Sequence, residues 1–120
     1  ALDVFGIEGA APSDIARSLQ SRTRASVVVI TAGQEGAAAI GDGAVMAMPP
    51  VPVERTLERI GSGDAFAAGF IAGYLEQGME YGLELGVAAA AFKRTLSGDM
   101  LLCTRAEIDA IVSRQESRWR

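Results

Sequence analysis

A run of consecutive apolar residues constrains the fold of this chain more than any other feature. Residues 25–31 read A-S-V-V-V-I-T, with β-branched side chains on successive positions rather than on alternate ones. Because successive side chains of a strand point to opposite faces, such a strand is buried on both faces, as in a parallel sheet that helices cover. The run therefore predicts an α/β fold.

Capping and turn residues divide the first half of the chain around this strand. Ser13 and Asp14 are candidate N-cap residues of a helix that ends at about Arg22. After the strand, two short apolar runs at residues 37–40 and 44–48 flank the sequence Gly-Asp-Gly. An Asp-Gly pair tolerates positive φ, so this pattern predicts a β-hairpin.

The second half of the chain is predicted to be helical. Residues 65–75 are apolar on every side, which is typical of a central helix rather than a surface helix, and Gly78 ends it. A second apolar helix spans about residues 80–94, and Thr104 with Glu107 forms a capping box before a last amphipathic helix. The resulting order is α-β-β-β-α-α-α, as expected for one face of a larger α/β sheet.

The composition excludes several kinds of chemistry. A chain of 120 residues, 49% of them apolar, suits one domain with its own core. It contains no His and a single Cys, which excludes Ser-His and Cys-His catalysis, an intrachain disulfide and a Cys-based zinc cluster. We expect this residue, Cys103, to be small and buried. A net charge of −4 argues against nucleic-acid partners, and no apolar run approaches the roughly 18–20 residues that span a bilayer.

The sequence Gly61-Ser62-Gly63-Asp64 directly precedes the first apolar helix. A helix N-terminus presents unpaired N–H groups and a partial positive charge that attract anions, and glycines allow a phosphate to approach the backbone closely. A carboxylate in the first turn also suits the helix dipole without any further function. From these residues alone, an anion site and a plain helix-starting turn both remain open.

Five segments, taken in order and spacing along nearly the whole chain, resemble the C-terminal part of ribokinase-like (PfkB family) carbohydrate kinases. They are T-A-G-Q-E-G-A at residues 31–37, G-S-G-D-A-F-A-A-G-F at residues 61–70, V-A-A-A-A-F-K at residues 87–93, S-G-D at residues 97–99 and T-R-A-E-I-D at residues 104–109. The resemblance implies the C-terminal part of a three-layer α/β/α sandwich. Residues 1–120 would then be its nucleotide-binding and catalytic portion, without the N-terminal sugar-binding and lid portion.

The resemblance implies a role for each residue of the helix-starting motif. Asp64 matches the catalytic base, which takes the proton from a sugar hydroxyl as that oxygen attacks the γ-phosphate of ATP. Gly61, Ser62 and Gly63 match the residues whose backbone N–H groups form the anion hole for the transferring phosphoryl group. The motif would thus supply both the proton acceptor and the charge stabilisation of phosphoryl transfer.

The resemblance to the family also implies a nucleotide-binding surface. Thr31, Gly33 and Gly36 match the family loop that lies near the nucleotide phosphates and ribose. Ala88, near the start of an apolar helix, matches a region that borders adenine. Without the family order, Gly33 and Gly36 would be interpreted as a plain strand-to-hairpin turn.

Differences from the family pattern indicate which branch of the family this sequence resembles. Residues 58–60 read E-R-I where the family has D-T-x, and Ser62 replaces an alanine. Together with K-R-T-L-S-G-D at residues 93–99, these differences resemble the 2-keto-3-deoxygluconate kinase branch. In ribokinases the Asp and Thr of D-T help bind a monovalent cation, so Arg59 at the threonine position predicts little dependence on potassium. Asp99 is interpreted as a turn residue, with a place at the border of the active site as the alternative.

The resemblance also implies ligands and partners. The expected substrates are ATP and a small sugar or sugar acid, and the expected metal is Mg²⁺, placed by an N-x-x-E motif that in the family normally precedes a segment like residues 1–6. We expect a homo-oligomer or pairing with the N-terminal portion, no membrane partner, and a cytoplasmic location because no signal segment is present.

Alternatives remain for the function and for two basic residues. Ribokinase, fructokinase and nucleoside kinase are alternative activities, and a non-catalytic nucleotide-binding module is an alternative from another class. Lys93 and Arg94 lie where a helix ends, so their charges suit the helix dipole without further function. Residues 1–6 are predicted to be the end of a helix.

Overall fold

The computed structural model describes Gly6 and residues 11–119. Over residues 11–119 the elements follow the predicted order α-β-β-β-α-α-α. They are α1 (Pro12–Arg22), β1 (Val28–Thr31), a 3₁₀ turn (Gly33–Glu35), β2 (Ala37–Gly41), β3 (Ala44–Met48), α2 (Ser62–Gln77), α3 (Met79–Arg94) and α4 (Arg105–Trp119). The helix end predicted for residues 1–6 lies, apart from Gly6, outside the described residues.

The three strands form an antiparallel sheet in the order β1-β2-β3. The predicted hairpin is confirmed: Ile40 pairs with Val45, and the turn between β2 and β3 has positive φ at both Asp42 (51°) and Gly43 (76°). This is the twist-matched turn that Asp-Gly favours. The parallel pairing expected for β1 is not found in the described part of the chain, where β2 is the strand paired with β1 and runs antiparallel to it.

Helices nevertheless cover both faces of the sheet, as the consecutive apolar residues of β1 predict. On one face Val28 packs with Ala16 of α1 and Ile40 of β2. On the other face Val29 packs against a larger core that contains Phe70 of α2 and further residues of α2 and α3. The side chains of β1 alternate between these two cores, which gives the layer order helix, sheet, helix.

The start of α1 differs from the sequence prediction. Ala11 is the N-cap residue, without a side-chain capping bond, and Pro12 begins the helix. Ser13 and Asp14 are therefore inside the first turn, and their prediction as N-cap residues is wrong. Proline suits this first helical position because its fixed φ is helical and its missing N–H would have no partner there.

Helices α2 and α3 form a tightly packed antiparallel pair joined at Gly78. A Cβ on Gly73 would lie 2.7 Å from the carbonyl oxygen of Tyr81, and a Cβ on Gly82 would lie 2.8 Å from that of Phe70. Such separations are too short for any side chain, so glycine at these positions allows the two backbones to approach closely. Phe66, Phe70, Leu83 and Val87 then form the main core with the sheet.

The outer face of α2 is not covered by other described residues. Ile71 is 57% exposed and Leu75 is 77% exposed, and Ala67, Ala68 and Ala72 on the same face are also exposed. The prediction of a helix buried all round is therefore met on one face only. We call these five residues the outer face of α2.

Helix α4 begins with the predicted capping box. The backbone N–H of Thr104 donates to Oε2 of Glu107 at 2.7 Å, and the N–H of Glu107 donates to Oγ1 of Thr104 at 3.4 Å. Ile108 and Val112 pack this helix against α3. Cys103, which precedes the box, is exposed, so its prediction as a buried residue is wrong. Among the described residues, no helix is both long and apolar enough to cross a membrane.

Candidate active site

A small cavity lies where the N-terminus of α2 meets the loop after β1 and the last turns of α3. Its volume is about 130 Å³. It is lined by Thr31, Gly33, Gly36, Pro50, Val51, Ser62, Gly63, Phe66, Val87, Ala90, Ala91 and Arg94. The structure thus brings together five residues of the predicted site, three from the glycine loop and two from the helix-starting motif, although about thirty positions separate them in the sequence.

The glycine loop is a tight turn between β1 and β2. Gly33 and Gly36 have φ values of 55° and 85°, and the N–H of Ala32 donates to the carbonyl of Gly36 at 2.8 Å. A Cβ on Gly36 would collide with the carbonyl oxygen of Met48, so the fold alone requires glycine there. Gly33 instead borders open space at the cavity.

The helix-starting motif places its residues in three different environments. Gly61 is the N-cap of α2 with φ 83°, and the carbonyl of Asp99 lies where its side chain would be. A Cβ on Gly63 would meet no described atom within 4 Å, although Gly63 lines the cavity. Asp64 is exposed in the first turn of α2. The N-terminus of α2 is therefore open to an approaching anion.

The residues before Gly61 form a turn stabilised by the side chain of Glu58. Oε1 of Glu58 accepts hydrogen bonds from the N–H groups of Arg59 (2.8 Å) and Ile60 (3.1 Å). These donors lower the pKa of Glu58, and the positive charge of Lys93 lowers it further. The hydroxyl of Ser62 donates to the carbonyl of Arg59 at 2.7 Å, which closes the turn.

Helix α3 lines part of the cavity, but Ala88, the residue of this helix that was expected at the nucleotide, is not among the lining residues. Ala88 is fully buried and packs with Leu85, Ala89 and Ile108, on the side of α3 that faces α4. Its neighbours Val87 and Ala91 line the cavity instead. The structure therefore does not bring Ala88 to this cavity, because the helical period turns it to the opposite side.

Known proteins resemble this chain in sequence and in fold. The family model for pfkB family carbohydrate kinases matches residues 1–107. The chain belongs to this family. A curated relative of this pfkB chain, a 2-dehydro-3-deoxygalactonokinase of Haloferax volcanii, is 34% identical over 110 residues, which cover 91% of the chain and 34% of that protein.

Solved structures of the same fold include nucleoside and sugar kinases. A ligand-free nucleoside kinase of Burkholderia thailandensis superposes with a TM-score of 0.69 at 30% identity, over 92% of the pfkB chain and 34% of the other. A ribokinase of Arabidopsis thaliana complexed with ribose and ATP gives a TM-score of 0.80 at 19% identity, over 92% and 37%. A 2-dehydro-3-deoxygluconokinase of Thermotoga maritima gives 0.77 at 22% identity, over 93% and 38%. The pfkB chain thus spans about a third of the length of these relatives.

Two basic residues, Lys93 and Arg94, also belong to this region. In the sequence alone, their charges indicate only that they suit the dipole of a helix end. Arg94 lines the cavity, and its Nε is buried without a hydrogen-bond partner among the described residues. Lys93 is fully buried beside Gly61. The signal that could have found them is their position: two cations end an apolar helix that follows the glycine motif at residues 61–63.

Proposed function

We propose that this chain is the C-terminal third of an ATP-dependent kinase for a small sugar acid of the 2-keto-3-deoxy type. The observation that carries this proposal is a cavity lined by both the glycine loop and the open N-terminus of α2. A helix N-terminus beside a glycine turn binds phosphate through backbone N–H groups. The volume of about 130 Å³ accommodates only part of a nucleotide. The remainder of ATP would extend beyond the mouth of the cavity.

The reaction assigned to this site is transfer of the γ-phosphoryl group to a substrate hydroxyl. Asp64 takes the hydroxyl proton while the oxygen forms a bond to the γ-phosphorus, and the bond from that phosphorus to the bridging oxygen breaks, releasing ADP. The backbone N–H groups of Gly61, Ser62 and Gly63 stabilise the charge on the transferring group. Arg94, a cation in the same cavity, is placed to bind the nucleotide phosphates.

Magnesium is expected for phosphoryl transfer, where one or two carboxylates usually hold it together with substrate phosphates. No group of three or more His, Cys, Asp or Glu side chains within the described part of the chain could hold a metal ion. The steps above depend only on residues of this chain.

The choice of a 2-keto-3-deoxy sugar acid is supported by sequence likeness. The Haloferax volcanii relative at 34% identity is named for 2-dehydro-3-deoxygalactonate, and the segments at residues 58–60 and 93–99 resemble the 2-keto-3-deoxygluconate kinase branch. The nucleoside kinase of Burkholderia thailandensis, at 30% identity, supports a nucleoside as the second candidate acceptor.

An acceptor panel tests this proposal on the full-length protein. ADP release is measured with ATP and, in turn, 2-keto-3-deoxygluconate, 2-keto-3-deoxygalactonate, ribose, fructose and inosine. We expect the highest kcat/KM with one of the two sugar acids. Turnover with inosine alone would replace the proposal by a nucleoside kinase, and ATP binding without turnover on any acceptor would favour a non-catalytic module.

A further inference from the structure

Arg94 supplies the positive charge of the cavity described above. Among the described residues that line this cavity, it is the one with a charged side chain. Its Nε is buried and has no hydrogen-bond partner among the described residues, which also form no ion pair with it. A buried donor without a partner costs free energy, so this placement indicates a partner that is not among these residues.

The other groups around the cavity indicate that this partner is an anion. The described lining residues include no carboxylate, and the hydroxyl of Ser62 already donates to the carbonyl of Arg59. The donors that remain beside Arg94 are backbone N–H groups at the N-terminus of α2, which also attract negative charge. A ligand with several anionic oxygens would satisfy both the guanidinium and these N–H groups.

The course of α3 along the cavity indicates which part of a nucleotide Arg94 would meet. Val87, Ala91 and Arg94 line the cavity from successive turns of α3, and the seven residues from first to last extend about 10 Å along the helix axis. The carbonyl of Arg94 accepts a hydrogen bond from the N–H of Leu57 at 2.7 Å, which fixes this end of α3 beside the turn before α2. The apolar part of α3 therefore suits a base or ribose, and the Arg94 end suits the phosphate nearest the start of α2.

We propose that Arg94 is a catalytic residue whose guanidinium binds the γ-phosphoryl group of the nucleotide during its transfer. As the acceptor oxygen bonds to the γ-phosphorus and the bond to the bridging oxygen breaks, Arg94 stays protonated and stabilises the charge on the γ-phosphoryl oxygens. Its side chain would also distinguish a triphosphate from a diphosphate or a monophosphate. The kinetic part of this inference rests on the proposed kinase function, whereas the binding part does not.

The experiment compares three variants of the full-length protein with the parent. Arg94→Met keeps an apolar stem and removes the charge, and Arg94→Lys keeps the charge but removes Nε and the planar donor fork. Arg17→Met, the control, makes the same change at an exposed arginine of α1. Three quantities are measured for each protein: kcat with ATP and the best acceptor, the affinities for ATP, ADP and AMP by calorimetric titration, and the melting temperature.

We expect Arg94→Met to lower kcat by about 10²- to 10³-fold, the range for loss of one donor to a developing charge. Its affinity for ATP should fall by about tenfold or more, as for a lost hydrogen bond to a charged group, while its affinity for AMP stays at the parent value. Arg94→Lys should keep part of the kcat, and Arg17→Met should match the parent. The melting temperature of Arg94→Met should be unchanged or higher, because the variant no longer buries a donor without a partner.

Two results would overturn the inference on these variants. The first is a parent-like kcat and ATP affinity in Arg94→Met, with a lower melting temperature if the arginine is merely structural. The second is an equal loss of affinity for ATP, ADP and AMP, because the contact would then be to the base, the ribose or the α-phosphate.

Two further outcomes are also decisive. If no acceptor gives turnover, the proposed function fails, and the three affinities still decide whether Arg94 binds the γ-phosphate. If neither Arg94 variant folds, a crystal structure of the full-length parent with a non-hydrolysable ATP analogue decides. A γ-phosphate oxygen within about 3.2 Å of a guanidinium nitrogen of Arg94 supports the inference, and any other partner for that guanidinium contradicts it.

Discussion

At the scale of single residues, the glycines around the cavity differ in what a side chain would meet. Gly36 and Gly61 have positive φ, and a Cβ on either would collide with a backbone carbonyl oxygen, that of Met48 or of Asp99. The fold therefore requires both. Gly63 is helical and faces open space, so no described atom requires glycine there. The lack of a side chain at Gly63 would have a function only if a ligand binds at the N-terminus of α2.

This contrast predicts opposite outcomes for two alanine substitutions in the full-length protein. Gly63→Ala should leave thermal stability unchanged or raise it, since alanine favours a helix over glycine by about 0.5–1 kcal/mol. It should weaken ATP binding, because the new methyl group blocks close approach of a phosphate. Gly36→Ala should lower the melting temperature, because the new Cβ would collide with the carbonyl oxygen of Met48. Calorimetric titration with ATP and thermal melts separate the two effects, and unchanged ATP affinity in Gly63→Ala would contradict the anion site.

Asp64 and Asp14 offer a second matched comparison, because both are exposed carboxylates in the first turn of a helix. We expect Asp64→Asn to lower kcat by at least about 10²-fold, at the low end for a general base, with little change in ATP affinity. Asp14→Asn should leave kcat at the parent value. Steady-state kinetics on the full-length protein measure both, and near-normal turnover in Asp64→Asn would remove it as the base.

The motifs of the candidate site are local in the sequence, and the roles assigned to their residues stay predictions. The family order identifies Thr31, Gly33 and Ser62, which the structure brings to one cavity. The burial of Lys93 against Gly61 was not predictable. That contact depends on how α3 packs against the turn before α2, and a helix-end lysine in sequence is indistinguishable from one that extends into solvent.

At the scale of elements, prediction succeeded where local chemistry decides the structure. The hairpin follows from Asp42-Gly43, whose backbone has the positive φ values that its turn needs. The predicted start of α1 differs from the observed one because Ser13 and Asp14 have the chemistry of N-cap residues, whereas the helix begins at Pro12, whose fixed φ suits the first helical position. The direction of the strand paired with β1 also could not be derived from the sequence. A buried strand has the same apolar sequence pattern whether its neighbour runs parallel or antiparallel.

The capping box of α4 gives an element-scale prediction with a defined pH dependence. The N–H and hydroxyl of Thr104 lower the pKa of Glu107 below its ordinary value of 4.5. A carboxylate whose pKa is lower in the folded state stabilises that state above pH 4.5, and this contribution is lost as the pH falls through the lowered pKa. Below the lowered pKa, Glu107 is protonated in both the folded and the unfolded chain, so it no longer contributes to stability.

Glu107→Gln should therefore reduce stability at pH 7 and flatten its decline in acid. Thr104→Ala removes the cap itself and should cost about 0.5–2 kcal/mol at neutral pH. Urea denaturation at pH 7 and at pH 3 measures both variants against the parent. An exposed Glu116→Gln change in the same helix serves as the control. If Glu107→Gln kept the parent's acid dependence, the box would not be the source of it.

At the scale of the whole molecule, two observations belong together. The outer face of α2 is apolar but exposed, and the chain spans only part of the length of its relatives. The chain matches about 34–38% of the kinases with which it superposes. Ile71 and Leu75 on the outer face are more than half exposed, and Ile71 lines a hollow together with Val29 and Thr31 of β1. The sequence predicted an apolar helix correctly but could not tell which of its faces the described residues would cover.

The last prediction is that the 120-residue chain by itself neither phosphorylates a sugar acid nor remains monomeric. Orientation of reactants contributes roughly 7–11 kcal/mol to such reactions. The cavity of this chain, with a volume of about 130 Å³, is too small for a whole nucleotide and an acceptor. An exposed apolar helix face also favours association. Size exclusion with light scattering should show a species larger than a monomer. Ile71→Glu with Leu75→Glu should shift it toward the monomer, whereas Val45→Glu on the exposed side of β3 should not. A monomeric chain with sugar-acid-dependent ADP release would show instead that these residues contain a complete acceptor site.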